Sequence, residues 1–417
     1  MDIRIPLLVV LTIAVCAPLL AELTARWRVP LVVFELLLGS LVGPRGLNWA
    51  TSTGFLEYLS AFGLAFLFFL AGIEIDLTDM RAEMPLAVGG WLCALALAAL
   101  GALAMRSMGL TQAWMVVAIA SSTTALGIVV PILRDAEQLG SPLGRHILAA
   151  GAMGEIGPIL AMSLALSRRH SAPVQSGFTV AFVVIVIGAA WTMLRARTPA
   201  VVSLMQRTIT LSSQLPVRVG VLLIASLAIL ADALGLDLAL GAMAAGMLLG
   251  LLTPRVDSDR MRLKMDAIGF GFLVPVFFVT SGMKLDLRAL FTEGIGLLTM
   301  AAFLGCVLLA RAPITALHVR ILGTNSAAAL GLFSATTLSL VVALTDIGVK
   351  KGLMSPAEAA PLVGAGILTV IVFPPLALRL AARARRPGEP GSASVLPEKR
   401  KSPAAPAAGA LGDPVER

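Results

Sequence analysis

Arg145-His-Ile-Leu-Ala-Ala-Gly-Ala-Met-Gly-Glu-Ile-Gly-Pro-Ile-Leu-Ala-Met-Ser-Leu-Ala-Leu166 is the stretch on which the reading of this chain turns. It is apolar and long enough to cross a bilayer, yet it places one carboxylate, Glu155, near its middle. A charge at the bilayer centre costs roughly 2.5–3.5 kcal/mol on insertion scales, so an intramembrane carboxylate is a functional candidate by default.

The composition around this stretch agrees with a membrane setting. Of 417 residues, 58% are hydrophobic and 13% charged, and the mean hydropathy is +0.92. Soluble domains carry nearer a quarter charged residues, and the apolar runs here lack the polar faces that a soluble helix needs. Thirteen candidate spans follow, at 5–24, 30–43, 56–73, 85–105, 112–132, 145–167, 175–194, 217–233, 236–252, 267–283, 292–317, 325–346 and 360–382. The second, fifth, ninth and twelfth are short or interrupted. The fold class is therefore an all-α polytopic membrane protein.

The first run lacks a small-residue cleavage site and leads directly into another, so it reads as a span rather than a removed signal. After Arg383 the sequence turns to Pro, Ala, Gly, Ser and charge, which predicts a disordered tail over 384–417 without a nucleotide-binding domain. Cys16, Cys93 and Cys306 have no metal-ligand spacing and read as small apolar residues.

Net charge is +8, but the basic residues sit in loops and in the tail, where they set orientation rather than bind nucleic acid. Loops after odd-numbered spans hold Arg26, Arg28, Arg81, Arg134, Arg145, Arg195, Arg197, Arg207, Arg218, Arg255, Arg260, Arg262, Lys264 and Arg320. The other side holds fewer: Arg4, Arg45, Arg106, Arg168, Arg169, Lys284, Arg288, Lys350 and Lys351. The positive-inside rule then places the C-terminus in the cytoplasm and the N-terminus outside an inner membrane.

The two halves repeat. Gly39-Ser-Leu-Val-Gly43 matches Gly246-Met-Leu-Leu-Gly250 at an offset of 207, and Phe68-Phe-Leu-Ala-Gly-Ile-Glu-Ile-Asp-Leu77 matches Phe278-Val-Thr-Ser-Gly-Met-Lys-Leu-Asp-Leu287 at 210. Ser122-Thr-Thr-Ala-Leu126 matches Ala335-Thr-Thr-Leu-Ser339 at 213. Three matches in order with a slowly drifting offset point to duplication. The offset spans seven helices, an odd number, so the second copy is inverted in the membrane. This divides a transmembrane domain at 1–383 into repeat one at 5–167, a linker helix at 175–194 and repeat two at 217–382. Inverted repeats with discontinuous helices and a midplane site mark secondary transporters.

Within that frame the candidate residues take roles. Thr123, Thr124, Thr336 and Thr337 lie mid-span, where hydroxyls either satisfy unwound backbone, coordinate an ion or bond back to the preceding turn. Arg311 lies deep in the eleventh span and is the expected partner of Glu155. Two alternatives stay open: a static salt bridge pinning two helices, or an Arg311 that points elsewhere. A single carboxylate that binds a proton or a monovalent cation, never both, couples two opposed fluxes by competition. His146, His170 and His318 are possible pH sensors or ordinary interfacial histidines. Asp232 and Asp237 flank a short break and are expected to face the headgroup region.

These segments resemble the monovalent cation:proton antiporter superfamily, closest to its Kef-like and NapA-like bacterial branch. The resemblance rests on Phe34-Glu-Leu-Leu-Leu-Gly-Ser-Leu-Val-Gly-Pro44, Phe66-Leu-Phe-Phe-Leu-Ala-Gly-Ile-Glu-Ile-Asp-Leu77, Ser121-Ser-Thr-Thr, Leu238-Ala-Leu-Gly-Ala-Met-Ala-Ala-Gly-Met247 and Phe277-Phe-Val-Thr-Ser-Gly-Met-Lys-Leu-Asp-Leu287. It implies an NhaA-like fold with about 13 transmembrane helices, a homodimer embedded in lipid, and a mobile core holding two crossed discontinuous helices. It also implies Glu155 as the transient monovalent-cation and proton site and Thr123 and Thr124 on the first broken helix. Arg311 becomes the charge-compensating residue, with Ser122, Gly154, Thr336 and Thr337 supporting the breaks. Where the family has Asp preceded by Asn, Gln or a second Asp, this chain has Gly154-Glu155.

The expected function is exchange of Na⁺ or K⁺ for H⁺ by alternating access, one for one and electroneutral, with no cofactor. A sodium-coupled carrier of an organic solute is the alternative, and it predicts a larger midplane cavity. A channel or a sensor on the same scaffold is the third class. No nucleophile elbow, phosphate loop or metal-ligand cluster supports an enzyme.

Overall fold

The computed structural model describes residues 4–24, 29–52, 54–75, 81–165, 172–196, 198, 203–204, 207–208, 213–252, 258–286 and 294–384. His170 and nearly all of the expected tail lie outside these residues. Among the described residues the secondary structure is helical, with eleven helices long and apolar enough to span a membrane and two shorter ones, Leu31–Val42 and Leu238–Leu251. The thirteen expected spans are all present.

The first half comprises α1 (Arg4–Leu23), α2 (Leu31–Val42), α3 (Phe55–Glu74), α4 (Met84–Ser107), α5 (Trp114–Ser121), α6 (Leu126–Asp135) and α7 (Pro142–Ala165). After α8 (Ala172–Ala196) come α9 (Leu215–Ala233), α10 (Leu238–Leu252), α11 (Ser258–Ile268), α12 (Val274–Lys284), α13 (Ile295–Leu322), α14 (Thr324–Ser334), α15 (Ser339–Lys350) and α16 (Pro356–Ala384). The fifth and twelfth spans are each two half-helices, α5–α6 and α14–α15. The tenth starts earlier than expected, because charged Arg260 and Arg262 already belong to α11, which runs through a π-helical turn at Gly269–Leu273 into α12.

The helices sort into two bodies. One is a panel in which α2 packs on α12, α3 on α10, and α9 on α10. The other is a core in which α4 and α13 pack together and carry the two broken spans with α7 and α16. Contacts between the bodies are sparser, through α3 and α6, α7 and α8, α7 and α10, and α12 and α15.

The repeated glycines explain the panel. A Cβ on Gly39 of α2 would collide with the Val279 carbonyl of α12, and one on Gly246 of α10 with the Phe69 carbonyl of α3. These are the same contact in the two halves. Likewise Gly72 abuts the Met243 carbonyl and Gly282 the Leu36 carbonyl. Helix association in lipid depends on such backbone approach, since apolar burial gives no advantage over lipid tails. Each half's second helix is thus clasped by the other half's third.

Candidate functional site

The broken spans cross at their breaks. Residues 122–125 leave the helix after α5, and 335–338 after α14. Their backbone groups must be satisfied without water. Thr124 N–H donates to the Gly154 carbonyl at 2.9 Å, and Ala125 N–H to the Thr336 carbonyl at 2.9 Å. Thr124 Oγ1 donates to the Ser334 carbonyl at 2.7 Å, closing the end of α14. The hydroxyls of Thr123 and Thr337 bond to each other. Thr337 N–H also meets Thr369 Oγ1 at 3.1 Å.

The Gly154 carbonyl is available for a local reason. Pro158 sits four residues on in α7 and has no N–H to bond back to it. Gly154 also needs its missing side chain, because a Cβ there would run into Thr124. The Gly154-Glu155 departure is therefore fitted to this crossing.

Glu155 is buried on α7, with a relative exposure of 4%. Its Oε1 accepts the Leu126 N–H at 2.8 Å, one of the unpaired donors that open α6. Its Oε2 is buried with no hydrogen-bond partner. The carboxylate borders a cavity of about 30 Å³ lined also by Gly127, Ser339, Leu340, Phe68, Phe270 and Glu74. Gly127 and Ser339 sit at the first turns of α6 and α15, so two positive half-helix ends face this space. The core contributes Glu155, Gly127, Ser339 and Leu340, and the panel contributes Glu74, Phe68 and Phe270. The cavity lies between the two bodies.

Arg311 corrects the expected ion pair. Its guanidinium donates to the carbonyls of Thr123 and, at 3.4 Å, Ser121, at the negative end of α5. Glu155 is held by the start of α6 and Arg311 by the end of α5. Each charge meets a half-helix dipole of opposite sign, and neither needs the other.

The remaining hydroxyls divide. Those of Thr123, Thr124 and Thr337 reach across the two breaks, Thr123 also donating back to the Ala120 carbonyl, while those of Ser122 and Thr336 bond back to Ile119 and Leu332 in the preceding turn. None of these hydroxyls lines the cavity. His146 and His318 come together, with ring centroids 4.9 Å apart, joining α7 to α13. Asp237 starts α10 by accepting the Ala239 N–H and pairs with Lys351 at 3.2 Å.

Two residues were missed. Thr369 is one residue beyond Leu368, the repeat counterpart of Glu155 at the 213 offset, and only an offset drifted by one more residue would have reached it. Glu74 sits in the Phe66–Leu77 motif, where nothing in the sequence distinguishes it from an ordinary helix-end carboxylate. It lines the cavity and forms an ion pair with Arg262 of α11. Among the described residues no three His, Cys, Asp or Glu side chains group as a metal site.

Residues 10–379 match the profile of the family described as "Sodium/hydrogen exchanger, transmembrane". The chain belongs to this family. Among sodium/hydrogen exchanger relatives it is similar to "Putative Na(+)/H(+) antiporter YjbQ" of Bacillus subtilis, at 28% identity over 92% of this chain and 64% of that protein. It thus spans somewhat less than two thirds of that relative's length. It is also similar to "Na(+)/H(+)-K(+) antiporter GerN" of Bacillus cereus, at 25% identity over 86% of this chain and 92% of that one. The exchanger fold is seen in the sodium proton antiporter MjNhaP1 from Methanocaldococcus jannaschii, with a TM-score of 0.59 at 15% identity, covering 92% of this chain and 98% of that one.

Proposed function

We propose that the protein exchanges a monovalent cation, Na⁺ or K⁺, for H⁺ across the membrane, with Glu155 binding either in turn. The observation that carries this is the state of the Glu155 carboxylate. One oxygen is anchored by a half-helix N-terminus and the other is unpartnered in a cavity of about 30 Å³. That space suits a water or a small cation, with Ser339 and Glu74 among the residues on its walls. Small-molecule sites are usually about 300–1,000 Å³, so the cavity speaks against an organic solute.

Alternating access follows from the two-body packing. The core carries Glu155 past the panel, and the cation changes sides with it. The core brings a single cavity carboxylate, which supports one-for-one, electroneutral exchange. Currents that reverse with membrane potential would contradict that stoichiometry. The positive-inside reading makes the face bearing Arg81, Arg134, Arg145 and Arg262 cytoplasmic and the membrane the inner one. The homodimer and the lipid contacts are part of the same proposal, inherited from the family resemblance, and so are the repeat boundaries, which rest on the three offset matches in the sequence.

The test is cation-induced release of internal protons in proteoliposomes under Na⁺, K⁺ and Li⁺. The wild type dequenches an internal pH dye with at least one cation, and Glu155→Gln abolishes the signal. Absence of proton movement with every cation overturns the proposal.

A further inference from the structure

Glu74 and Lys284 occupy equivalent positions of the two repeats, at an offset of 210, and stand at opposite membrane faces. Lys284, at the end of α12 in the panel, pairs with Asp346 of α15 in the core at 3.3 Å. On the same face Lys351, following α15, pairs with Asp237 of the panel. Core and panel are bridged there by ion pairs between oppositely charged, partly buried groups. Lys284 also approaches Glu57, at 3.8 Å, and Lys350 approaches Asp346, at 2.6 Å.

The opposite, arginine-rich face has the same parts with the charges reversed. Glu74 ends α3 in the panel, and Arg134 lies in the same turn of α6 that Asp346 occupies in α15. Here the bridge between the bodies is not made. Glu74 instead pairs with Arg262, which belongs to the panel and also approaches Asp266 at 3.7 Å. α6, which ends just after Arg134, touches α3, which ends at Glu74. Exposure rises from Glu155 (4%) through the Glu74 side chain (8%) and that of Arg262 (24%) to that of Asp266 (34%). On this face the cavity residue Glu74 is thus tied to progressively more exposed groups of its own body, while the other face is bridged.

We propose that Glu74 is the panel half of a latch whose core half is Arg134. When the core moves, Lys284 and Asp346 separate, Glu74 exchanges Arg262 for Arg134, and the arginine-rich face closes. Arg262 holds Glu74 in reserve in the conformation described here, and Arg134 holds it in the opposite one. This deepens the antiport reading by naming what shuts each face in turn.

The two arginines then have opposite effects, which is the core of the test. A cysteine at Gly127 reports access to the cavity, since Gly127 lines it and a Cβ added there meets nothing within 4 Å. In a background with Cys16, Cys93 and Cys306 replaced, its modification by a membrane-impermeant thiol reagent is timed in right-side-out and everted vesicles. Arg134→Gln is expected to speed modification from the arginine-rich face and slow it from the other. Arg262→Gln and Lys284→Gln are expected to do the reverse, each by roughly threefold or more. Arg134→Gln added to Arg262→Gln cancels the Arg262→Gln effect. Equal-direction shifts for Arg134→Gln and Arg262→Gln, or no shift from either, overturn the latch. Accessibility is read without ion flux, so failure of the antiport assay leaves this test standing and failure of the latch leaves antiport standing.

Discussion

At the scale of the residue, the site solves the problem of two buried charges without pairing them. Glu155 and Arg311 each meet the end of a half-helix, the first at unpaired N–H groups and the second at unpaired carbonyls. Their coupling is then small. In a double-mutant cycle of Glu155→Gln and Arg311→Gln, read by thermal stability in detergent, we expect an interaction energy below about 0.5 kcal/mol, as for independent sites. Arg311→Gln alone costs roughly 1–3 kcal/mol, the price of leaving buried carbonyls unmet. Gly154→Ala forces a methyl into Thr124 and is expected to cost roughly 1–3 kcal/mol as an overpacked contact, with transport reduced in the proteoliposome assay. Wild-type stability in Gly154→Ala would show that the crossing yields easily. Glu155 itself was legible in sequence, because a lone carboxylate in an apolar run is conspicuous. The partner of Arg311 was not, because a backbone carbonyl freed by a break has no letter in the sequence.

At the scale of the element, broken helices follow from composition only in part. The Thr-Thr pairs marked both breaks, and the hydroxyls do satisfy unwound backbone. What sequence could not say is which hydroxyl crosses and which bonds back, since that depends on how two helices meet in space. The long helix through α11 and α12 was read short for a different reason. Its first turns carry Arg260, Arg262, Lys264 and Asp266, and a hydropathy scan stops at charge although the backbone continues. The panel offers a sharper test, because Gly39 and Gly246 make the same contact in different halves. Gly39→Ala and Gly246→Ala are expected to lower thermal stability by similar amounts, roughly 1–3 kcal/mol each, whereas Gly127→Ala, which meets open space, leaves it nearly unchanged. Unequal losses at the two equivalent glycines would mean that one half of the panel relaxes and the other does not.

At the scale of the whole molecule, duplication with inversion makes both the site and its closure. The offsets of 207, 210 and 213 were visible in sequence, and they correspond to contacts exchanged between halves. The division into core and panel was expected only through the family resemblance, because which helices group together is a property of packing and not of any one span. The expected electroneutrality belongs at this scale too. In vesicles clamped at different potentials, the Na⁺-driven proton flux should keep the same equilibrium point, and a shift with potential would require more charge to move with the core. The clasped panel also sets a timetable for biosynthesis. The glycine notches on α2 and α3 leave the ribosome about 200 residues before α10 and α12 supply the backbones that fill them, an interval of about 10–40 s at about 5–20 residues per second. A half-made chain therefore waits in the bilayer with its notches open, and any assembly factor or quality-control protease that surveys this protein has that window in which to recognise it.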